Sequence, residues 1–252
     1  MFIKKKLPNK YYIHIDVVSV CNLECPSCPV GNSPEIQNPR GMMAPGVLEK
    51  ILKKAVGECV VQGVDLFNWT EPLIHPKIDE LIRIVQSFGV KCDLSSNLNV
   101  LKHPEKLLAA NPTNFRVSLS GFSQPVYGNS HRGGDIEKVK LNMVLLAEAK
   151  QKTASSMDIH VLYHRYTHNL HEEPLAKEFS IKLGFRFVPV WAFMMPLEKS
   201  LAYLEGNPDE NLTPDDRQTI DSLALPLREA SMAAIQYKEQ TCQLLEKQIT
   251  LD

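Results

Sequence analysis

A chain of 252 residues with 44% hydrophobic content is long enough to bury one large α/β core or two small ones. Its 28 Lys and Arg against 29 Asp and Glu leave no overall field that would draw it to bulk nucleic acid or an anionic membrane. The basic run Lys4, Lys5, Lys6 lacks a following apolar segment and no stretch reaches membrane-span length, so the expected compartment is the cytoplasm.

Apolar, β-branched stretches alternate with segments of helical period, the pattern of repeated βα units around a parallel sheet. The first predicted strand covers residues 11–18. Those that follow are 64–69, 90–95, 115–119, 157–163 and 185–191. Between them, residues 45–56 place Val47, Leu48, Ile51, Leu52 and Ala55 on one stripe behind Pro45, and 78–88 and 135–152 repeat the period. Six such units predict a curved partial (β/α)6 barrel over 1–195 rather than a flat, doubly wound sheet. In both arrangements the reactive residues belong at the carboxyl ends of the strands. From residue 196 the pattern changes to a mainly helical extension, 196–252, with helices around 215–223 and 229–245.

Six cysteines are too few for a disulfide scaffold in a chain this long, and three crowd into eight residues directly after the first strand. Cys21, Cys25 and Cys28 have the spacing CxxxCxxC. One tight loop can aim three thiolates at a single centre and leave a fourth position open, as a cluster needs if one iron is to bind a small molecule. A zinc site completed by a residue such as His14 is the alternative, although zinc sites usually show two paired halves.

CxxxCxxC after a first strand resembles the signature of the radical S-adenosylmethionine superfamily, and the likeness runs from about residue 11 to 191. It implies a 4Fe-4S cluster on Cys21, Cys25 and Cys28, with S-adenosylmethionine chelating the fourth iron. The residue before the last cysteine is commonly aromatic in that family and is Ser27 here, where backbone contacts to adenine would survive.

Further segments continue the resemblance. Thr70, Glu71 and Pro72 stand where the family carries GGEP, which implies that Glu71 meets the cofactor's ammonium group; a carboxylate suits that bond. Ser95, Ser96 and Asn97 resemble a TNG segment facing the cofactor's ribose or carboxylate, with Leu98 in place of glycine. The fourth strand ends Val117, Ser118, Leu119, Ser120, Gly121, where many members show an acidic residue before the glycine, and the resemblance implies Ser118 among the cofactor-binding residues. Arg132 and Gly133 resemble an RG segment in which the planar guanidinium would clamp the methionine carboxylate. Arg40, Gly41, Met42 and Met43 resemble an RGxM stretch of peptide- and small-molecule-modifying members and receive no chemical role.

Residues 160–171 hold four of the eight histidines. Because a strand precedes them, they read as rim and loop residues rather than as ligands on one helix face. Tyr163 and His164 are then the candidate catalytic pair facing the substrate, His164 being able to give or take a proton. Cys59 and Cys92 read as small buried hydrophobes. Cys242 resembles the opening of an auxiliary-cluster domain, and with no cysteine after it either the parent chain is cut short or Cys242 is a helix residue. The expected activity is hydrogen-atom abstraction from an organic substrate, a peptide or small metabolite, with flavodoxin or ferredoxin as electron donor. The rivals are a non-catalytic iron-sulfur or zinc module and a scaffold that has lost cofactor binding.

Overall fold

The computed structural model describes residues 10–33, 41–204 and 212–223. Six parallel strands pair strictly in chain order: β1 (Lys10–His14), β2 (Val60–Asp65), β3 (Lys91–Ser96), β4 (Asn114–Leu119), β5 (Asp158–Arg165) and β6 (Arg186–Trp191). The sheet does not close. Helices cover its outer face: α1 (Pro29–Asn32) and α2 (Pro45–Glu58) lie before β2, α3 (Ile78–Ser87) before β3, and α4 (Pro104–Ala110) before β4. Two more, α5 (Gln124–Ser130) and α6 (Ile136–Thr153), precede β5, while α7 (Glu173–Lys182) precedes β6. This is the expected partial barrel. Among the described residues no helix is long and apolar enough to cross a membrane.

Strand alternation sorts the side chains into two layers. Phe115, Val117 and Leu119 on β4, with Ile159, Val161 and Tyr163 on β5, are buried in one core with Leu48 and Leu52 of α2, Leu81 and Ile82 of α3, and Val139 and Met143 of α6. Arg116, Ser118, His160 and His164, one residue out of step, face the lumen. That parity decides which rim residues can belong to a site.

Two strand ends differ from expectation, for one reason. The Asp16 carboxylate accepts the backbone N–H groups of Asn68, Trp69 and Thr70 at 2.9 to 3.2 Å and the Thr70 hydroxyl at 2.7 Å. Holding that carboxylate bends the chain away after β1, which ends at His14 rather than Val18. The 68–70 segment curls onto Asp16, so β2 ends at Asp65 and begins four residues earlier than predicted. The helices α4, α5 and α7 had no sequence prediction; Pro104, Pro125 and Pro174 stand in their first turns.

The C-terminal extension supplies α8 (Leu197–Leu204) and α9 (Pro214–Ser222), the latter opened by a capping box between Thr213 and Asp216. Ile220, Leu212 and Leu223 form a second apolar cluster with Tyr166, Ala192 and Met194. Lys199 Nζ donates to the Asn32 carbonyl at 2.7 Å, and Thr167 N–H to the Ser222 carbonyl at 2.8 Å. This part of the extension packs on the cysteine loop and the β5 end. Arg40, the 229–245 helix and Cys242 lie outside the described residues.

Candidate active site

The cysteine segment leaves β1 at its carboxyl end and is fixed by its own backbone: Cys28 N–H donates to the Cys25 carbonyl at 3.0 Å, and Gly31 N–H to the Cys28 carbonyl at 2.9 Å. Pro29 starts α1 at once. Gly31 lets that helix lie on the loop, since a Cβ there would stand 2.3 Å from the Cys25 carbonyl oxygen. Neighbouring loops hold the segment from outside. Glu24 N–H donates to the Arg132 carbonyl at 3.0 Å, and Asn97 Nδ2 donates to Asn22 Oδ1 at 3.1 Å.

Burial pushes the Cys21 thiol up to about 11, and lifts Cys25 and Cys28 as well; charge on Cys21 and Cys28 raises Cys25 further. All three lie on one eight-residue loop. Among the described residues no group of three or more His, Cys, Asp or Glu side chains is gathered to hold a metal ion as it stands. The donor set nevertheless fits an iron-sulfur group: three thiols share one half-buried loop, and a metal converts such thiols to thiolates outright.

Glu71 is buried, with one carboxylate oxygen accepting Leu73 N–H at 2.9 Å and the other Asn97 N–H at 2.8 Å. Burial raises its pKa to about 7. Asn97 in turn points its amide at the Cys21 sulfur, 3.8 Å away. Ser96 accepts Leu98 N–H at 2.9 Å, supporting Leu98 in the left-handed region at φ +55°. A glycine would take that conformation freely; here a fully buried leucine is held in it by its packing.

A cavity of about 210 Å³ lies beside these thiols, lined by Cys25, Cys28, Ser27, Ser118, His164 and Tyr166, among others. Ser118 also lies 3.3 Å from Ser95 across the lumen face. Tyr166 reaches over from the β5 end and its hydroxyl meets that of Ser27 at 2.9 Å. Burial takes the His164 imidazole down to about 4, so the ring is neutral at pH 7.

Two expected residues stand elsewhere. Tyr163 is turned to the helix side, fully buried, and its hydroxyl donates to the Asn169 carbonyl at 2.8 Å. It is a core residue; its neighbour His164 alone faces the cavity. Arg132, assigned to a cofactor carboxylate, makes a two-pronged ion pair with Asp215 of α9 at 2.8 Å for both bonds.

His131 was missed. It lines the same cavity, stacks on Tyr127 with ring centroids 4.8 Å apart, and pairs through Nδ1 with the Ser120 hydroxyl. Burial, then the nearby His164, drives it down to about 3. The two imidazoles stand 6.5 Å apart. Only its place beside Arg132 could have drawn attention to it. Asp16 was missed also, because its role is a contact with a segment 52 residues away.

No family model and no curated protein matches the sequence. The fold does match solved structures. Streptococcus suis SuiB bound to S-adenosylmethionine superposes with a TM-score of 0.57 at 17% identity, over 73% of this chain and 41% of that one. SuiB bound to its precursor peptide SuiA gives 0.56 at 17%, over 71% and 38%. The enzyme anSMEcpe with bound AdoMet and the Cp18Cys peptide gives 0.52 at 16%, over 80% and 62%. The chain has the partial-barrel fold of these proteins and spans between 38% and 62% of their length.

Proposed function

We propose that the chain is a radical S-adenosylmethionine enzyme acting in the reducing interior of the cell. The observation that carries this reading is the position of CxxxCxxC: the three cysteines form the first βα loop of a six-stranded partial barrel, at the carboxyl rim, beside a cavity. Cys21, Cys25 and Cys28 would hold a 4Fe-4S cluster. When bound, that cluster supplies the electron that splits the sulfonium carbon-sulfur bond of S-adenosylmethionine, leaving methionine and a 5′-deoxyadenosyl radical that takes a hydrogen atom from substrate carbon.

The chain's own residues bind and orient. Glu71 fixes the Asn97 loop against Cys21, and its remaining lone pairs accept the cofactor's ammonium group. Ser27, Ser96, Asn97 and Ser118 supply short polar groups around the ribose and methionine ends. Arg132 reaches a carboxylate only if Asp215 releases it. His164, neutral in the cavity wall, offers a ring nitrogen to substrate; His131 stands behind it as a second neutral acceptor.

A peptide substrate is favoured over a small metabolite by the likeness to two proteins seen with peptides, SuiB and anSMEcpe. The electron comes from a flavodoxin or ferredoxin. Anaerobic reconstitution with iron and sulfide tests the cluster: about four irons per chain are expected, falling to background when the three cysteines are replaced together. Stoichiometric binding of a single zinc, with no iron-sulfur absorption, would establish the rival metal module.

A further inference from the structure

On the outer rim, between the Glu71 loop and α4, lies a second cavity of about 290 Å³. Its floor is apolar, made by Leu73, Ile78, Leu101 and Leu107, and its edge carries Lys102, His103 and Lys106. The single carboxylate in its wall, Asp79, is taken by Arg83 at 2.8 Å. His75 is neutral there, since its Nε2 donates to the Met43 carbonyl at 3.0 Å while Nδ1 accepts Lys77 N–H at 3.1 Å. Among the described residues nothing pairs with the two lysines or with His103. In a chain with almost balanced charge, the exposed Lys102 and Lys106 beside an apolar floor form a local attractor for an acidic surface.

The same cavity is joined to the cysteines. Leu73, in its floor, donates its N–H to Glu71 at 2.9 Å, Glu71 accepts from Asn97 at 2.8 Å, and Asn97 reaches the Cys21 sulfur at 3.8 Å. One buried carboxylate therefore links the floor of the cavity to the Cys21 thiol. We infer that this concavity is the docking site of an acidic, one-electron donor protein, an inference that rests on the function proposed above. The donor's reduced carrier loses one electron to the group held by Cys21, Cys25 and Cys28; no bond changes and no proton moves at the docking surface.

The test uses reduced flavodoxin as the acidic probe and dithionite as a small reductant that needs no docking. The charge reversal Lys102→Glu with Lys106→Glu should slow flavodoxin-driven bleaching of the reconstituted protein about tenfold or more at low salt, with the gap closing as salt rises. Lys102→Gln with Lys106→Gln should fall between. Dithionite-driven bleaching should be unchanged in both. Flavodoxin association, titrated with apoprotein at low salt, should weaken in the same order, so docking is read even if the proposed chemistry fails. Equal flavodoxin rates and affinities in all three proteins would overturn the inference, as would absence of flavodoxin binding to the unsubstituted protein or an equal loss with dithionite.

Discussion

The backbone N–H of Asn97 donates to Glu71 Oε2 at 2.8 Å, and through that bond the β2 loop fixes the end of β3 against the cysteine segment. Glu71 is the hinge of the arrangement: its other oxygen holds Leu73, and burial raises its pKa from 4.5 to about 7. A proton thus stays on Glu71 in the folded chain at pH values where the unfolded chain has lost it. The stability from this group is complete below about pH 4.5 and is lost as pH rises to about 7. Denaturant titrations should show the stability of the unsubstituted protein falling, relative to that of Glu71→Gln, by up to about 3 kcal/mol across that window. A difference that stays flat from pH 4 to 8 would contradict the buried, proton-holding carboxylate.

Replacing Glu71 should also touch the cofactor. Loss of one charge-assisted hydrogen bond in Glu71→Ala is expected to weaken S-adenosylmethionine binding by about 1.5 to 3 kcal/mol while iron is still taken up. Calorimetric titration giving the same affinity as before would remove Glu71 from the binding role.

Gly31 and Gly57 make a matched pair. A methyl at Gly31 would run into the Cys25 backbone, whereas at Gly57, inside α2, it meets nothing within 4 Å. Gly31→Ala should therefore cost about 1 to 3 kcal/mol and impair iron retention. Gly57→Ala should gain about 0.5 to 1 kcal/mol from helix propensity. Thermal unfolding and iron assays on both variants check this, and a Gly31→Ala protein as stable and iron-retentive as the unsubstituted one would contradict a close approach of α1 to the cysteine loop.

For the two neighbours on β5 the expectations diverge. Tyr163→Phe leaves the Asn169 carbonyl without its hydroxyl partner and should cost about 1 kcal/mol of stability, with cofactor cleavage intact. His164→Ala should leave stability and substrate-free cleavage close to normal and lose coupled turnover of substrate. Equal loss of both cleavage and turnover in His164→Ala would point to a damaged cofactor site instead.

The barrel was legible because its helices and later strands each repeat one periodicity, and the last four strands fall within two residues of their predicted bounds. The end of β2 was not, because Val64, Leu66 and Phe67 continue an apolar run past the point where Asp16, 52 residues away from Asn68, takes the backbone amides. The choice between Tyr163 and His164 was within reach. Ile159, Val161 and Tyr163 alternate with His160 and His164, so the parity that buries the apolar set excludes Tyr163 from the lumen. Arg132 has a partner that no local motif reveals, Asp215 on α9, 83 residues on. Leu98 shows the opposite: a departure from glycine was visible in the sequence, and its positive φ shows the backbone shape kept without the residue that usually permits it.

Cofactor cleavage is the direct test. Protein reconstituted with iron and sulfide without oxygen, then reduced with dithionite and given S-adenosylmethionine, should release 5′-deoxyadenosine and methionine in equal amounts, followed by chromatography. Cys21→Ala, Cys25→Ala and Cys28→Ala should each release none, while Cys59→Ala and Cys92→Ala behave as the unsubstituted protein does. Release of no 5′-deoxyadenosine from protein that holds its full iron, or continued release from Cys25→Ala, would contradict the account.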